Sequence, residues 1–374
     1  MITSIMHDEM KSFEDLAVNF SNKELDKRRE QSDKYPFVPF ENTVLAKAHE
    51  LGFLGITLPE DLGGIGQGIS TLCVVLESIC RTDASLGALI FTNALAQEII
   101  LKSGGVDTLR GIASSTDPES TLIAFPAYSD PLEHKDLPRA AKSKKGYTLS
   151  GSAGYVILAP IAGHALIPAK IKDQEGYSFF LVSLSDPKVK KGEPVFSLGV
   201  HACPAADLAL SGAEAVLVGQ EGSGPACFAG AAEKMYAAAA AIALGIMKGS
   251  FDYALAYSNE REQGGWPIVN WSEIKMILAD MAIQTKIADM AVSQACSAVE
   301  NKIAGWDVYA KTAALHVQEA ACQVTTDGIQ ILGGYGYMKD YGQEKRFRDA
   351  KQVKTLLGMA PLRKIGLLDQ LNAK

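Results

Sequence analysis

Residues Gly328–Ala350 read GIQILGGYGYMKDYGQEKRFRDA, and the fold is decided by how this stretch is read. An apolar pattern of helical spacing runs into Gly333-Gly334. Glycine alone enters positive φ without steric cost, so the pair stops the helix. Tyr335 and Tyr337 flank a third glycine, and a charged cluster then opens another helix. Backbone and flat rings are thus presented together at a helix end. That arrangement suits either a planar or phosphorylated ligand or a tight helix–helix corner, and composition alone favours the corner.

Around this stretch lies a chain of 374 residues, 47% hydrophobic and 21% charged, the composition of a soluble globular protein of two or three domains. A net charge of −7 and the lack of a basic run argue against nucleic acid as the main partner. Six cysteines are scattered without CxxC or short Cys/His spacing, so neither a disulfide framework nor a metal site is expected, and a reducing cytoplasm fits. The N-terminal stretch MITSIMHDEMKSFEDL is acidic and amphipathic, without a signal-peptide core. The longest apolar run, Met235–Met247, has 13 residues. A membrane span needs about 20, so the run reads as a buried helix.

The texture changes twice along the chain. Residues 1–118 carry helical periodicity: Val44, Leu45, Ala48 and Leu51 share one face, Leu72, Val75, Leu76 and Ile79 another, and Asp83-Ala84-Ser85 offers N-cap chemistry. Residues 119–219 break into short β-branched runs separated by Gly, Pro, Ser and Asp. Five to seven strands are predicted there, hence a small barrel or sandwich, with Lys142–Lys145 a solvated turn. Residues 220–374 are helical again, with helices predicted over Pro225–Glu262, around Trp271–Met281, over Val308–Leu332 and over Gln343–Leu368. The fold class is therefore α+β and multidomain: an N-terminal helical domain, a middle β domain and a C-terminal four-helix bundle.

This order, with its motifs, resembles the acyl-CoA dehydrogenase family over nearly the whole chain. QILGGYGY (Gln330–Tyr337) with RFRDA (Arg346–Ala350) is similar to the family's QxxGGxGY…RxxRDA, and REQGGWPI (Arg261–Ile268) to its RxxFGxPI. The resemblance implies an FAD-binding homotetramer or dimer of dimers that acts on CH–CH groups of an acyl-CoA and passes electrons to electron-transferring flavoprotein. It implies that Arg261 meets the FAD pyrophosphate across a subunit interface, and that Gln330, Gly333 and Gly334 support the adenine end. Guanidinium binds phosphate oxygens bidentately, and glycines let a backbone come close. As a purely structural alternative, Arg261 forms a salt bridge with the acidic first domain.

The chain departs from the family where the chemistry should be. The resemblance implies a glutamate base, a carboxylate whose pKa burial can raise toward that of the activated thioester. Counting on from Arg348-Asp349-Ala350, that position is Leu357; the other position used in the family, upstream of Arg261, is Met235, followed by Tyr236 where arginine is usual. Neither Leu357 nor Met235 accepts a proton. Glu233 lies two residues along the helix, roughly 200° around it. The flavin-capping TEPxAGSD is reduced to FPAYSD, Phe125–Asp130, and the segment that meets the flavin ring reads Tyr155-Val156-Ile157-Leu158. Tyr155 retains a ring that can stack. Asp130, with Glu133 beside it, is the substitute base the sequence offers.

Two functions follow from these residues. One is an acyl-CoA-directed flavoprotein with an unconventional or missing base. The other is a non-catalytic subunit of a heteromeric acyl-CoA dehydrogenase, lending Arg261 and the Gln330 turn to a partner's FAD. Of the histidines, His316 is expected to be a satisfied buried or interface residue. His164 and His201 have no carboxylate at a recognisable spacing.

Overall fold

The computed structural model describes residues 8–113, 117–144 and 146–372; the first residues of the acidic N-terminal stretch, and Lys145 of the expected turn, lie outside them. The first region comprises α1 (Asp8–Phe20), α2 (Arg29–Ser32), α3 (Asn42–Glu50), α4 (Ile69–Cys80), α5 (Ala84–Lys102), α6 (Val106–Ala113) and α7 (Pro118–Thr121). Asp83 caps α5, its carboxylate accepting the Ser85 N–H at 2.8 Å. Apart from its C-terminal turn α5 is buried on every side, and apolar residues follow no stripe along it, as suits an interior helix.

Seven strands follow: β1 (Ile123–Ala124), β2 (Arg139–Ser143), β3 (Gly146–Ile157), β4 (His164–Ile171), β5 (Ser178–Ser183), β6 (Val189–Pro194) and β7 (Ala205–Val218). β4 pairs β2, β2 pairs β3, β3 pairs β7, β7 pairs β5, and β5 returns to β4. The ring closes, so of the two β architectures open in the sequence the protein adopts the barrel. Burial alternates along β7, with Ala206, Leu208 and Leu210 inside.

The last region holds α8 (Gly224–Glu260), a hairpin of β8 (Glu262–Gln263) and β9 (Trp266–Pro267), then α9 (Ser272–Glu300), α10 (Trp306–Leu332), α11 (Gln343–Val353) and α12 (Ala360–Asn372). α8 is the central column, packed on α4, α5, α9 and α10. Its run Ala237–Ala241 is wholly buried, and small side chains let neighbouring helices approach. At Gly245 an added Cβ would stand 2.4 Å from the Glu77 carbonyl of α4. The first and last regions therefore share one helical core. α5 and α8 are long and apolar enough to cross a membrane by length and composition alone, but 94% and 78% of their apolar windows are buried inside the fold.

The helix predicted over Gln343–Leu368 is two helices. Leu357 (φ 65°) and Gly358 (φ 109°) are left-handed and cannot continue an α-helix. The Leu357 N–H donates instead to the Ala127 carbonyl at 2.9 Å, and the Met359 N–H to Glu133 Oε1 at 2.9 Å. The stop was written as Gly358 followed by Pro361.

The RFRDA motif joins the three regions. Arg348 binds both Asp33 oxygens and Glu344, and donates to the Leu198 carbonyl at 3.2 Å. Asp349 accepts the Val200 N–H at 2.7 Å and the Lys345 ammonium at 2.6 Å, and Lys345 reaches Asp83 at 3.0 Å. His201 has its partner far outside any local spacing: its Nδ1 lies 2.6 Å from Asp33 Oδ1, 168 residues upstream. Burial opposes ionisation of Asp33, yet hydrogen bonds from His201 and Arg348 outweigh it and hold the carboxyl down at about 2. His316 is exposed in this chain, not buried.

Candidate functional site

Arg261, Gln330, Gly333 and Gly334, far apart in sequence, line one open groove of about 840 Å³. α8 ends at Arg261, and the chain reverses through Gly264 (φ 67°) and Gly265 (φ 86°), a two-residue turn that needs positive φ at both positions. The usual phenylalanine is missing at Gly264 for a physical reason. A Cβ there would sit 3.0 Å from Trp271 Cζ2, and the Trp271 indole donates to the Gln263 carbonyl at 3.2 Å. Trp271 thus supplies an aromatic wall.

The opposite wall is the end of α10. Gly333 takes φ 57° and ψ −131°, outside what a side chain tolerates, and its N–H returns to the Gln330 carbonyl. Tyr335 follows, stacked on Tyr341 with centroids 4.8 Å apart. The Arg261 guanidinium carbon lies 5.5 Å over the Tyr335 ring. Arg261 is exposed and has no ion pair among the described residues, so the salt-bridge alternative does not hold here. It is also the one cation among the described residues lining the groove. Because the ends of α8 and α10 present carbonyls, the groove suits a hydrogen-bond donor such as an adenine amine, with Arg261 as the site for phosphate.

Tyr155 does not line this groove. It sits in β3 with φ 51°, its N–H bonded to Asp207 Oδ1 at 2.7 Å and its hydroxyl accepting from Gln352 Nε2 of α11 at 3.1 Å. Its ring meets Tyr128 edge-on at 5.6 Å. The Tyr155–Gln352 hydrogen bond spans the barrel and the bundle.

A second cavity, about 270 Å³, lies where α8, α10 and α12 meet the 130–133 turn. Leu357, one of the two base positions implied by the resemblance, lines it; of the other, Met235, only the neighbour Tyr236 does. Leu357 and Met235 are fully buried and apolar. Asp130 shares the cavity with Glu133. Its Oδ1 accepts the Leu132 N–H at 2.8 Å, capping a single 3₁₀ turn, Pro131–Glu133. Burial pushes the Asp130 carboxyl above the ordinary carboxylate range; the Leu132 N–H opposes this, and the Glu133 charge adds to it. Burial pushes the Tyr236 phenol up to about 12, which removes it as a base at neutral pH. Two further members of the wall, Lys311 and Arg363, escaped the sequence reading.

A three-region fold with a helix-end groove and a separate cavity further along the bundle is an architecture of known type. The family model for the acyl-CoA dehydrogenase N-terminal domain matches residues 7–107, and that for the C-terminal domain matches residues 224–360. The chain is 29% identical, over 83% of its length and 77% of the relative's, to cyclohex-1-ene-1-carbonyl-CoA dehydrogenase of Syntrophus aciditrophicus. It is 27% identical, over 90% and 91%, to subunit CarC of the caffeyl-CoA reductase–Etf complex of Acetobacterium woodii. Butyryl-CoA dehydrogenase from Megasphaera elsdenii superposes with a TM-score of 0.89 at 25% identity, over 98% of this chain and 99% of that one. The chain belongs to the acyl-CoA dehydrogenase family.

Proposed function

We propose that the protein is an FAD-dependent oxidoreductase acting on a CH–CH bond of an acyl-CoA. The convergence of Arg261, Gln330, Gly333 and Gly334 on one groove carries the reading, because a lone cation, helix-end carbonyls and exposed aromatic faces match the phosphate and adenine of FAD. Bound FAD would supply the acceptor for the hydride leaving the acyl β-carbon. The chain's own residues do the rest. Arg261 neutralises the phosphate of a neighbouring subunit's FAD, and the Gly333 turn brings backbone against its adenine. Asp130, raised in pKa and with an oxygen unpartnered among the described residues, removes the α-proton within a cavity walled by Leu357 and Leu132. The assembly is a dimer of dimers in the cytoplasm, and reduced flavin is reoxidised by an electron-transferring flavoprotein, as the name of the Acetobacterium complex suggests. Purification with a flavin count per chain, followed by acyl-CoA oxidation with an artificial electron acceptor, tests this. A colourless chain that takes up no FAD overturns it.

A second reading has its own observation. At the position implied for the flavin ring, Tyr155 is hydrogen-bonded to Gln352, and the Leu357 N–H is bonded to Ala127. Barrel and bundle are tied together there, while the Arg261 groove stands open. A non-catalytic subunit that completes a partner's FAD site would combine these features. Co-purification distinguishes the two: a second, flavin-carrying chain in the complex favours the lending subunit, and a homo-oligomer with one FAD per chain excludes it.

A further inference from the structure

We propose that the cavity between α8, α10 and α12 contains an anion subsite, formed by Arg363 and Lys311, for a carboxylate on the bound molecule. Arg363 is 6% exposed and lies in the cavity wall. One end of its guanidinium is satisfied: Nη2 donates to Gln318 Oε1 at 2.9 Å and to the Lys354 carbonyl at 2.8 Å. Nε and Nη1 are buried and have no partner among the described residues. A guanidinium fixed from behind by two acceptors keeps N–H groups on Nε and Nη1 with which to meet an anion.

Lys311 adds a second cation to the same wall. Its Nζ stands 5.6 Å over the Tyr236 ring, on which the Arg363 guanidinium carbon also rests at 6.0 Å. Tyr236 therefore holds both cations in place, with its phenol kept neutral by burial. Burial also disfavours the charged forms of Lys311 and Arg363, a cost that a bound anion relieves. The carboxylates Asp130 and Glu133 face these cations across the cavity, but Glu133 is engaged with the Met359 N–H. Lys311 also donates to Gln370 Oε1 at 3.3 Å and has Glu233 and Asp307 beside it, so Arg363 is the cation that orients a carboxylate toward α12 and away from the 130–133 turn. Its 270 Å³ admits a small acid of a few carbons. That this carboxylate is the far end of an acyl group rests on the acyl-CoA reading above. The anion subsite itself does not.

The test is ligand-observed NMR titration of the purified full chain with butyrate and with butyramide, its uncharged near-isostere. Butyrate is expected to bind saturably, and butyramide about tenfold or more weaker, the loss of one charge-assisted contact. Arg363→Lys and Lys311→Gln should each weaken butyrate about tenfold, while Asp130→Asn should tighten it by removing the facing negative charge. A general loss of packing would weaken binding in all three, so the opposite sign for Asp130→Asn separates charge from fold. Equal binding of the two probes, absence of saturable butyrate binding, or butyrate binding unchanged in Lys311→Gln overturns the proposal. Butyrate binding in a protein that oxidises no acyl-CoA supports the subsite and removes only the acyl assignment.

Discussion

The guanidinium of Arg261 rests 5.5 Å from the centroid of the Tyr335 ring, so the groove's cation is held by the glycine-turn tyrosine that faces it. Two segments separated by the whole of α9 and α10 meet in that contact. It presents Arg261 to solvent with its donors uncommitted to any carboxylate among the described residues.

Arg261→Gln should therefore lower FAD affinity about 10- to 100-fold, the range for loss of a charge-assisted phosphate contact. The melting temperature of the flavin-free protein should not change, because Arg261 is exposed and forms no ion pair among the described residues. Arg261→Lys should fall between the two, since an ammonium cannot grip two oxygens at once. Flavin release measured by fluorescence after dialysis reads all three variants.

If Asp130 is the base, Asp130→Asn should reduce turnover at least ~100-fold, within the usual contribution of a positioned base. The pH profile supplies a second readout. Burial raises the Asp130 carboxyl, and a base must be ionised, so activity should fall as pH drops through a pKa above the ordinary 3.8. That limb should vanish in the variant. Turnover unchanged in Asp130→Asn removes the assignment.

The Gly333 turn, the Asp83 cap, the three-part order and the buried Met235–Met247 run were all legible, because each rests on local periodicity or local φ preference. Long-range electrostatics were not. His201 and Asp33 carry no mutual signal in sequence, yet they meet at 2.6 Å and tie α2's end to the loop before β7. Arg363 and Lys311 were missed for the same reason. Their meaning comes from sharing a wall with Tyr236, which only the packing of α8 against α10 and α12 brings about. The break at Leu357 lay between these cases. Gly358 and Pro361 announced a stop, but the helical spacing on either side overrode them in the reading.

The Asp33–His201–Arg348 joint makes a pH prediction for stability. The folded carboxyl titrates at about 2 against an ordinary 3.8. A depressed carboxylate stabilises the fold above the unfolded pKa and loses that contribution as pH falls through the folded one. The wild-type protein should therefore lose stability on acidification between about pH 4 and pH 2, a window set by those two values. Asp33→Asn removes that part of the acid dependence and leaves Arg348 short of a partner in a half-buried site. At neutral pH it should cost about 3 kcal/mol, the lower end for breaking a buried pair. Urea unfolding at a series of pH values measures both effects.

The two glycines that stop α10 should respond differently to the same methyl group. Gly333 has open space where a Cβ would go, but its φ of 57° is strained for any side chain. Gly333→Ala should cost about 1–3 kcal/mol, the range for a residue held in such a region. It should also loosen FAD, because relief of the strain rotates the turn that carries Tyr335. Gly334 has no positive φ, and its added methyl would meet only the Tyr337 hydroxyl at 3.7 Å, an ordinary contact. Gly334→Ala should leave stability within about 0.5 kcal/mol, the usual range for surface substitutions. Any loss of FAD there must come from the methyl group standing in the groove. Paired melts and flavin titrations on the two variants thus separate the turn's conformational requirement from its closeness to the ligand. Equal destabilisation in both variants would mean that space, not φ, governs this corner.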